Sequence, residues 1–313
     1  MDRIAPRELG LGRLMIDLGF RDVEGLVASY VLPQEDGFTL VETGPTTCAD
    51  RLMEGVRAAG VDPSEVKRVL VTHIHLDHAG GLGRAAEMFP NAQLFAHRLG
   101  TAHLVDPSKL IESARRAWGA SSDRLWGPIP PVPAGRLVAL SGGERLAVTG
   151  GELVVIETPG HARHHLAFLD LATGAMMTGD AAGVRLERSG RTRPAIPPPD
   201  LDLDLLFGSL EKMAAAGPKA IWLSHFGPDD AGPSDLADYR LAVEAWRDVA
   251  LEAAREEASV NRIVRALRSY EESRAARLGV PGPASEQGDL VSGYDLAAQG
   301  LLRYFRTHGI LPG

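Results

Sequence analysis

From Val69 to Gly81 the chain reads Val-Leu-Val-Thr-His-Ile-His-Leu-Asp-His-Ala-Gly-Gly. The first four residues form an apolar, β-branched run of strand length. The next six contain His73, His75, Asp77 and His78, and Ala79-Gly80-Gly81 permits a tight turn into a helix. In alternating backbone, residues two apart point the same way, so His73 and His75 can reach one metal ion together. Asp77 and His78 come where the chain turns away and can face a second ion. A strand that ends in four ligand side chains requires a fold in which other strand ends arrive at the same edge.

Other runs rich in β-branched residues recur at Leu26 to Leu32, Phe38 to Val41, Gln93 to Ala96, Leu153 to Glu157, Ala175 to Thr178 and Ala220 to Ser224. Helical patterns lie between some of them, at Cys48 to Ala59, Gly81 to Met88 and Leu201 to Ala216, so the alternation predicts an α/β architecture. The segment 101–133 interrupts it. Ser108 is placed to cap a short helix carrying Leu110, Ile111, Ala114 and Trp118, and the segment reads as an insertion able to form a lid. Trp118 and Trp126 are expected there as core residues. From Pro233 the strands stop, and Leu236, Tyr239, Val243, Trp246 and Ala250 repeat at helical spacing. Two further helices follow, around Val260 to Tyr270 and Leu296 to Phe305. The expected division is a catalytic domain over 1–232 and a helical extension over 233–313, packed on the main domain or on a second subunit in a homodimer.

The 313 residues include 44% hydrophobic, 24% charged and 5% aromatic residues, the composition of a globular protein. The opening segment lacks a signal-peptide pattern and no apolar stretch reaches membrane-span length, so a cytoplasmic protein without membrane partners is expected. The single cysteine, Cys48, excludes an internal disulfide and a cysteine-rich metal site. A formal charge of −8 disfavours nucleic acid as a partner.

Three more ligand-type residues each follow an apolar run: His161 after Thr158-Pro159-Gly160, Asp180 after Thr178-Gly179, and His225 after Ser224. Imidazole and carboxylate ligands suit zinc first, with iron and manganese as alternatives. His73, His75 and His161 would hold one ion. Asp77, His78 and His225 would hold the other, with Asp180 bridging. A water between two such ions loses its proton near neutral pH and becomes a nucleophile, with Asp77 as a proton acceptor.

The motif His73-x-His75-x-Asp77-His78, followed by Gly160-His161, Gly179-Asp180 and Ser224-His225, resembles the metallo-β-lactamase superfamily. The resemblance covers roughly the first three quarters of the chain, and all seven ligand positions are filled in order. It implies an αββα sandwich with two mixed sheets face to face and a dinuclear site at one edge. The stretch Thr158 to His165 looks most like the glyoxalase II branch, where a second histidine, here His165, stands four residues beyond the ligand. It differs at Ala162 and His164, where that branch usually has Thr and Gly. Glu42, in Val41-Glu42-Thr43-Gly44, occupies a family strand position from which it would orient a metal-bound histidine.

These features predict a metal-dependent hydrolase of a small ester, thioester or lactone. A mononuclear iron enzyme of the persulfide dioxygenase kind, a phosphodiesterase or nuclease, and a non-catalytic ligand-binding module are the alternatives. Arg185, Arg188, Arg191 and Arg193, just beyond Asp180, suggest attraction of an anionic substrate group.

Overall fold

A computed structural model describes residues 5–185, 192–229, 232–279 and 291–312. The first sheet contains β1 (Arg7–Glu8), β2 (Leu14–Asp17), β3 (Ala28–Gln34), β4 (Gly37–Val41), β5 (Val66–Leu70), β6 (Gln93–His97) and β7 (Leu137–Leu140), in that order across the sheet. The pairs from β1 to β4 are antiparallel and those from β4 to β7 parallel. The second sheet contains β8 (Arg145–Val148), β9 (Gly151–Glu157), β10 (Leu166–Asp170), β11 (Ala175–Met177), β14 (Ala220–Leu223) and β15 (Gly227–Asp229). Here only the β11 and β14 pair is parallel. A two-stranded ribbon, β12 (Val184–Arg185) with β13 (Thr192–Arg193), is joined to the turn between β14 and β15 by backbone hydrogen bonds of Arg185 with His225 and Phe226.

Period-two alternation sorts each strand between two cores. Tyr30 and Leu32 of β3, Val155 of β9, Leu166 and Phe168 of β10 and Trp222 of β14 face the space between the sheets. Val31 of β3 instead faces a core beneath α1 (Ala49–Ala58), α3 (Leu82–Met88), α4 (Thr101–Val105), α5 (Ser108–Trp118) and α6 (Ser122–Trp126). On the second sheet Ile156, Ala167, Leu169 and Ile221 face α7 (Leu203–Ala215), α8 (Pro233–Glu256), α9 (Val260–Leu278) and α10 (Tyr294–Thr307). The layers are therefore helix, sheet, sheet, helix, as the resemblance implied. Strands apolar on both faces explain why the runs in the sequence are near-continuous rather than alternating.

The C-terminal helices are not a separate body. Leu236, Tyr239, Val243 and Trp246 of α8 share one core with Leu206 and Leu210 of α7 and with Ile221 of β14. Gly300 of α10 lies so close to the segment before α7 that a Cβ would stand 2.1 Å from the Ile196 carbonyl oxygen. A buried ion pair joins the sheets at the opposite end from the ligand-bearing loops: Arg13 Nε lies 2.9 Å from Asp170 Oδ2, and both side chains are fully buried.

Candidate metal centre

The strand expected to end at Thr72 ends at Leu70, and Asp77 and His78 lie on the four-residue helix α2 (Leu76–Ala79). The loop after β9 brings His161, the turn after β11 brings Asp180, and the end of β14 brings His225. Backbone hydrogen bonds close the sheets over this edge, from Leu166 N–H to the Thr72 carbonyl (2.7 Å) and from Ala28 N–H to the Ser224 carbonyl (2.9 Å). The seven side chains that the sequence singled out thus meet at one place. His73, His75 and His161 form one group of potential ligands and Asp77, His78 and His225 another, with the atoms of each group within 4.8 Å of one another. Asp180 stands between them. Its Oδ1 is 3.3 Å from His78 Nε2 and 3.5 Å from His225 Nε2, whereas its Oδ2 is 3.4 Å from His161 Nε2.

Hydrogen bonds behind the site set the direction of three of the five imidazoles. His225 Nδ1 donates to the Leu26 carbonyl (2.6 Å), His161 Nδ1 to the Ala195 carbonyl (2.8 Å) and His78 Nδ1 to Glu42 Oε1 (3.1 Å). Each Nε2 is then left as a lone pair aimed inward. His78 Nε2 and His225 Nε2 face each other at 3.0 Å with both Nδ1 protons already engaged. Two lone pairs in that position would repel, and a proton or a metal ion beside them relieves the repulsion. His73 Nε2 and Asp180 Oδ1 are buried and have no hydrogen-bond partner. Two ligands each about 2.0–2.1 Å from one tetrahedral zinc lie about 3.3 Å apart, close to these separations. The residues present fit divalent metal ions.

The electrostatics divide the imidazoles into two sets. Burial opposes charge on every member, yet the facing carboxylates, Asp180 foremost, raise the pKa values of His78 and His225. Burial likewise opposes ionisation of Asp77, but His78 and His225 overcome it and hold the carboxyl at about 2. The Asp180 carboxyl is held well below the ordinary range by His78, His161 and His225 despite its burial. Burial and neighbouring imidazoles push His73 and His75 well down, and burial lowers His161, so these stay neutral and able to ligate.

Glu42, fully buried, holds a left-handed backbone conformation (φ 71°). Its Oε1 accepts from Thr72 Oγ1 (2.5 Å) and Ser224 Oγ (3.1 Å) as well as from His78. His165 stacks on His73 with ring centroids 4.8 Å apart, and its Nε2 accepts the Asp180 backbone N–H at 3.2 Å. Gly179, with φ 51°, makes this approach possible, because a Cβ there would stand 2.8 Å from His165 Nε2. His165 thus touches the backbone that carries Asp180 rather than the cavity.

Arg185, expected behind the ligands or near the substrate, exchanges backbone hydrogen bonds with His225 and Phe226. Its Nη2 lies 2.9 Å from Asp235 Oδ1 on α8, and the residue is not among those lining the cavity. Arg193 stacks on the Tyr294 ring at 4.0 Å. Acidic and aromatic partners from the C-terminal helices therefore engage both guanidinium groups. Arg188 and Arg191 lie outside the described residues.

A cavity of about 180 Å³ opens beside the centre, with His75, Asp77, His161 and Asp180 in its wall. Trp118 and Trp126 line it too, so they serve the site as well as the core beneath it. Two contributors had no signal in the sequence. Tyr239 Oη on α8 accepts the Ala195 N–H (3.4 Å) and Ser292 Oγ donates to the Pro194 carbonyl (2.6 Å). Together they fix the segment whose Ala195 carbonyl orients His161. Such backbone-mediated support leaves no residue motif.

A sequence profile described as the metallo-beta-lactamase superfamily matches residues 22–225, which include every one of these ligand positions. The chain belongs to that superfamily. It is a metallo-hydrolase by that membership, and its histidine and aspartate groups are able to bind metal ions. The metallo-beta-lactamase fold-containing protein ST1585 of Sulfurisphaera tokodaii is 28% identical over 162 residues, 51% of this chain and 60% of that protein. The N-acyl homoserine lactonase AttM of Agrobacterium fabrum is 34% identical over 124 residues, 39% of this chain and 41% of that enzyme. Among solved structures, a metallo-beta-lactamase family protein from Thermus thermophilus superposes with a TM-score of 0.62 at 23% identity. That superposition covers 90% of this chain and 89% of the other and is a likeness of fold. Among the described residues no helix is long and apolar enough to cross a membrane.

Proposed function

We propose that this chain hydrolyses a small ester, thioester or lactone at a dinuclear metal centre. The observation that carries the reading is Asp180, whose two oxygens face different imidazole groups, Oδ1 toward His78 and His225 and Oδ2 toward His161. His73, His75 and His161 would hold one ion and Asp77, His78 and His225 the other, with Asp180 shared. Zinc suits this donor set first, then iron or manganese. Divalent ions held there supply an activated water and polarise a carbonyl oxygen. Glu42 holds the His78 ring, Ala195 the His161 ring and Leu26 the His225 ring in their ligating directions. Asp77 lines the cavity, where it would accept a hydrogen bond from the attacking water and relay its proton to the departing alkoxide or thiolate.

A bridging aspartate separates this site from most true β-lactamases, and the lactonase named among the relatives supports including lactones. The Thr158 to His165 stretch, similar to the glyoxalase II branch, supports including thioesters. The lone buried Cys48 accords with a reducing, cytoplasmic setting.

The test is a metal-replete screen against thioester, lactone, phosphodiester and β-lactam substrates, repeated with Asp77→Ala. Hydrolysis of an acyl substrate that falls at least about 100-fold in the variant supports the reading. Full activity in Asp77→Ala refutes it, and one iron per chain with oxygen consumption assigns the site to the dioxygenase alternative.

A further inference from the structure

Most of the wall of the cavity beside the centre comes from parts of the chain that carry none of the candidate ligands. On one side α5 presents Leu110, Ala114, Ala117 and Trp118, spaced so that all four lie on a single helical face. On the other, the first turn of α10 presents Gly293, Leu296 and Ala297. Ile196 and Pro197-Pro198-Pro199 join the two walls, and His75, Asp77, His161 and Asp180 close the remaining side. Among the described lining residues these four are the only ionisable ones, with no Lys or Arg. Away from that side, an anionic group held between α5 and the first turn of α10 would lose water without gaining a cationic side chain among the described lining residues.

Resting on the hydrolase reading of the site, we infer that the substrate carries an uncharged, unbranched aliphatic chain, which lies between α5 and the first turn of α10 with its acyl carbon at the metal centre. The chain length accepted is set by Leu110 and Trp118 on one wall and Leu296 on the other. The 101–133 insertion and the last helix are therefore specificity elements of one site. Each methylene drawn from water into an apolar wall contributes about 0.8 kcal/mol, which is about a fourfold gain in kcat/KM.

The test uses the metal-replete full chain and 4-nitrophenyl esters of straight-chain acids from two to ten carbons. The expected result is a kcat/KM that climbs about fourfold per methylene and then levels off where the cavity is filled. Ester substrates ending in a carboxylate should fall more than tenfold below their methyl-ended counterparts. Leu296→Trp should lower kcat/KM for the decanoate ester more than tenfold relative to the acetate ester. Ala117→Trp, on the exposed side of the opposite wall, should do the same and guards against misfolding of the first variant. A profile flat within twofold across the series, or a preference for carboxylate-ended chains, overturns the inference.

A calorimetric arm separates its failure from that of the hydrolase reading. Saturated monocarboxylates of increasing length are titrated against the matching dicarboxylates. If no ester, thioester or lactone is turned over but monocarboxylate affinity still rises about fourfold per methylene, the chain pocket stands and the hydrolase reading falls. Hydrolysis without length dependence means the reverse: the hydrolase reading stands and the chain pocket falls.

Discussion

Replacing Glu42 by glutamine isolates the role of the carboxylate behind His78. The side chain keeps its shape and still has an oxygen to accept from Thr72 Oγ1 and Ser224 Oγ, now 2.5 and 3.1 Å away. What it loses is the negative charge 3.1 Å from His78 Nδ1, which fixes the ring's tautomer and strengthens its Nε2 as a ligand. Loss of such a partner lowers metal affinity about 10- to 100-fold, roughly 1.4–2.8 kcal/mol. Because His78 belongs to the group with Asp77 and His225, only one of two binding steps should weaken. Competition with a chromogenic chelator resolves the two steps. The account predicts one dissociation constant raised by at least about tenfold and the other within about threefold of wild type. Circular dichroism of metal-free Glu42→Gln should match that of metal-free wild type, which shows that the fold persists without the charge. Two unchanged constants would refute the argument, as would a loss of affinity explained by unfolding of the metal-free protein.

Two further outcomes concern stability. Arg13→Leu leaves the fully buried Asp170 without its guanidinium partner, and urea denaturation should show a loss of about 3–5 kcal/mol; a change under 1 kcal/mol would mean the pair does not tie the sheets. Burial holds the His164 imidazole at about 4, below its unfolded value, so the folded protein resists a proton that the unfolded chain accepts. That contribution is therefore complete above about pH 6.5 and lost as pH falls toward about 4, amounting to roughly 3 kcal/mol. Metal-free wild type should lose more stability between pH 7.5 and 4.5 than His164→Asn does, and equal losses would contradict this.

The candidate ligands were legible in the sequence because metal ligation demands particular residue types at particular places, and each stands where an apolar run ends. The layering was legible through resemblance, since strands buried on both faces lose the alternation that would show which side is which. β10, Leu166–Asp170, went unread although it is wholly buried, because it follows the histidine-rich turn with no break in composition. The side-chain partner of Arg185 went unread for a different reason. A cluster of like charges in sequence does not reveal a carboxylate arriving from α8, fifty residues later at Asp235. Trp118 and Trp126 show the converse: an aromatic residue can belong to a core and to a cavity wall at once, and only the packing of α5 and α6 decides. The support of His161 through Ala195 and Tyr239 uses a backbone carbonyl, which every residue has.

The central claim is a two-metal hydrolytic centre, and metal stoichiometry measured alongside hydrolysis tests it most directly. Elemental analysis of the metal-replete chain should find about two divalent ions per chain, falling to about one or fewer in Asp180→Ala. Acyl-substrate hydrolysis should disappear on chelation and return with added metal. A chain that hydrolyses its substrate at full rate after chelation, with no metal remaining, would contradict the account.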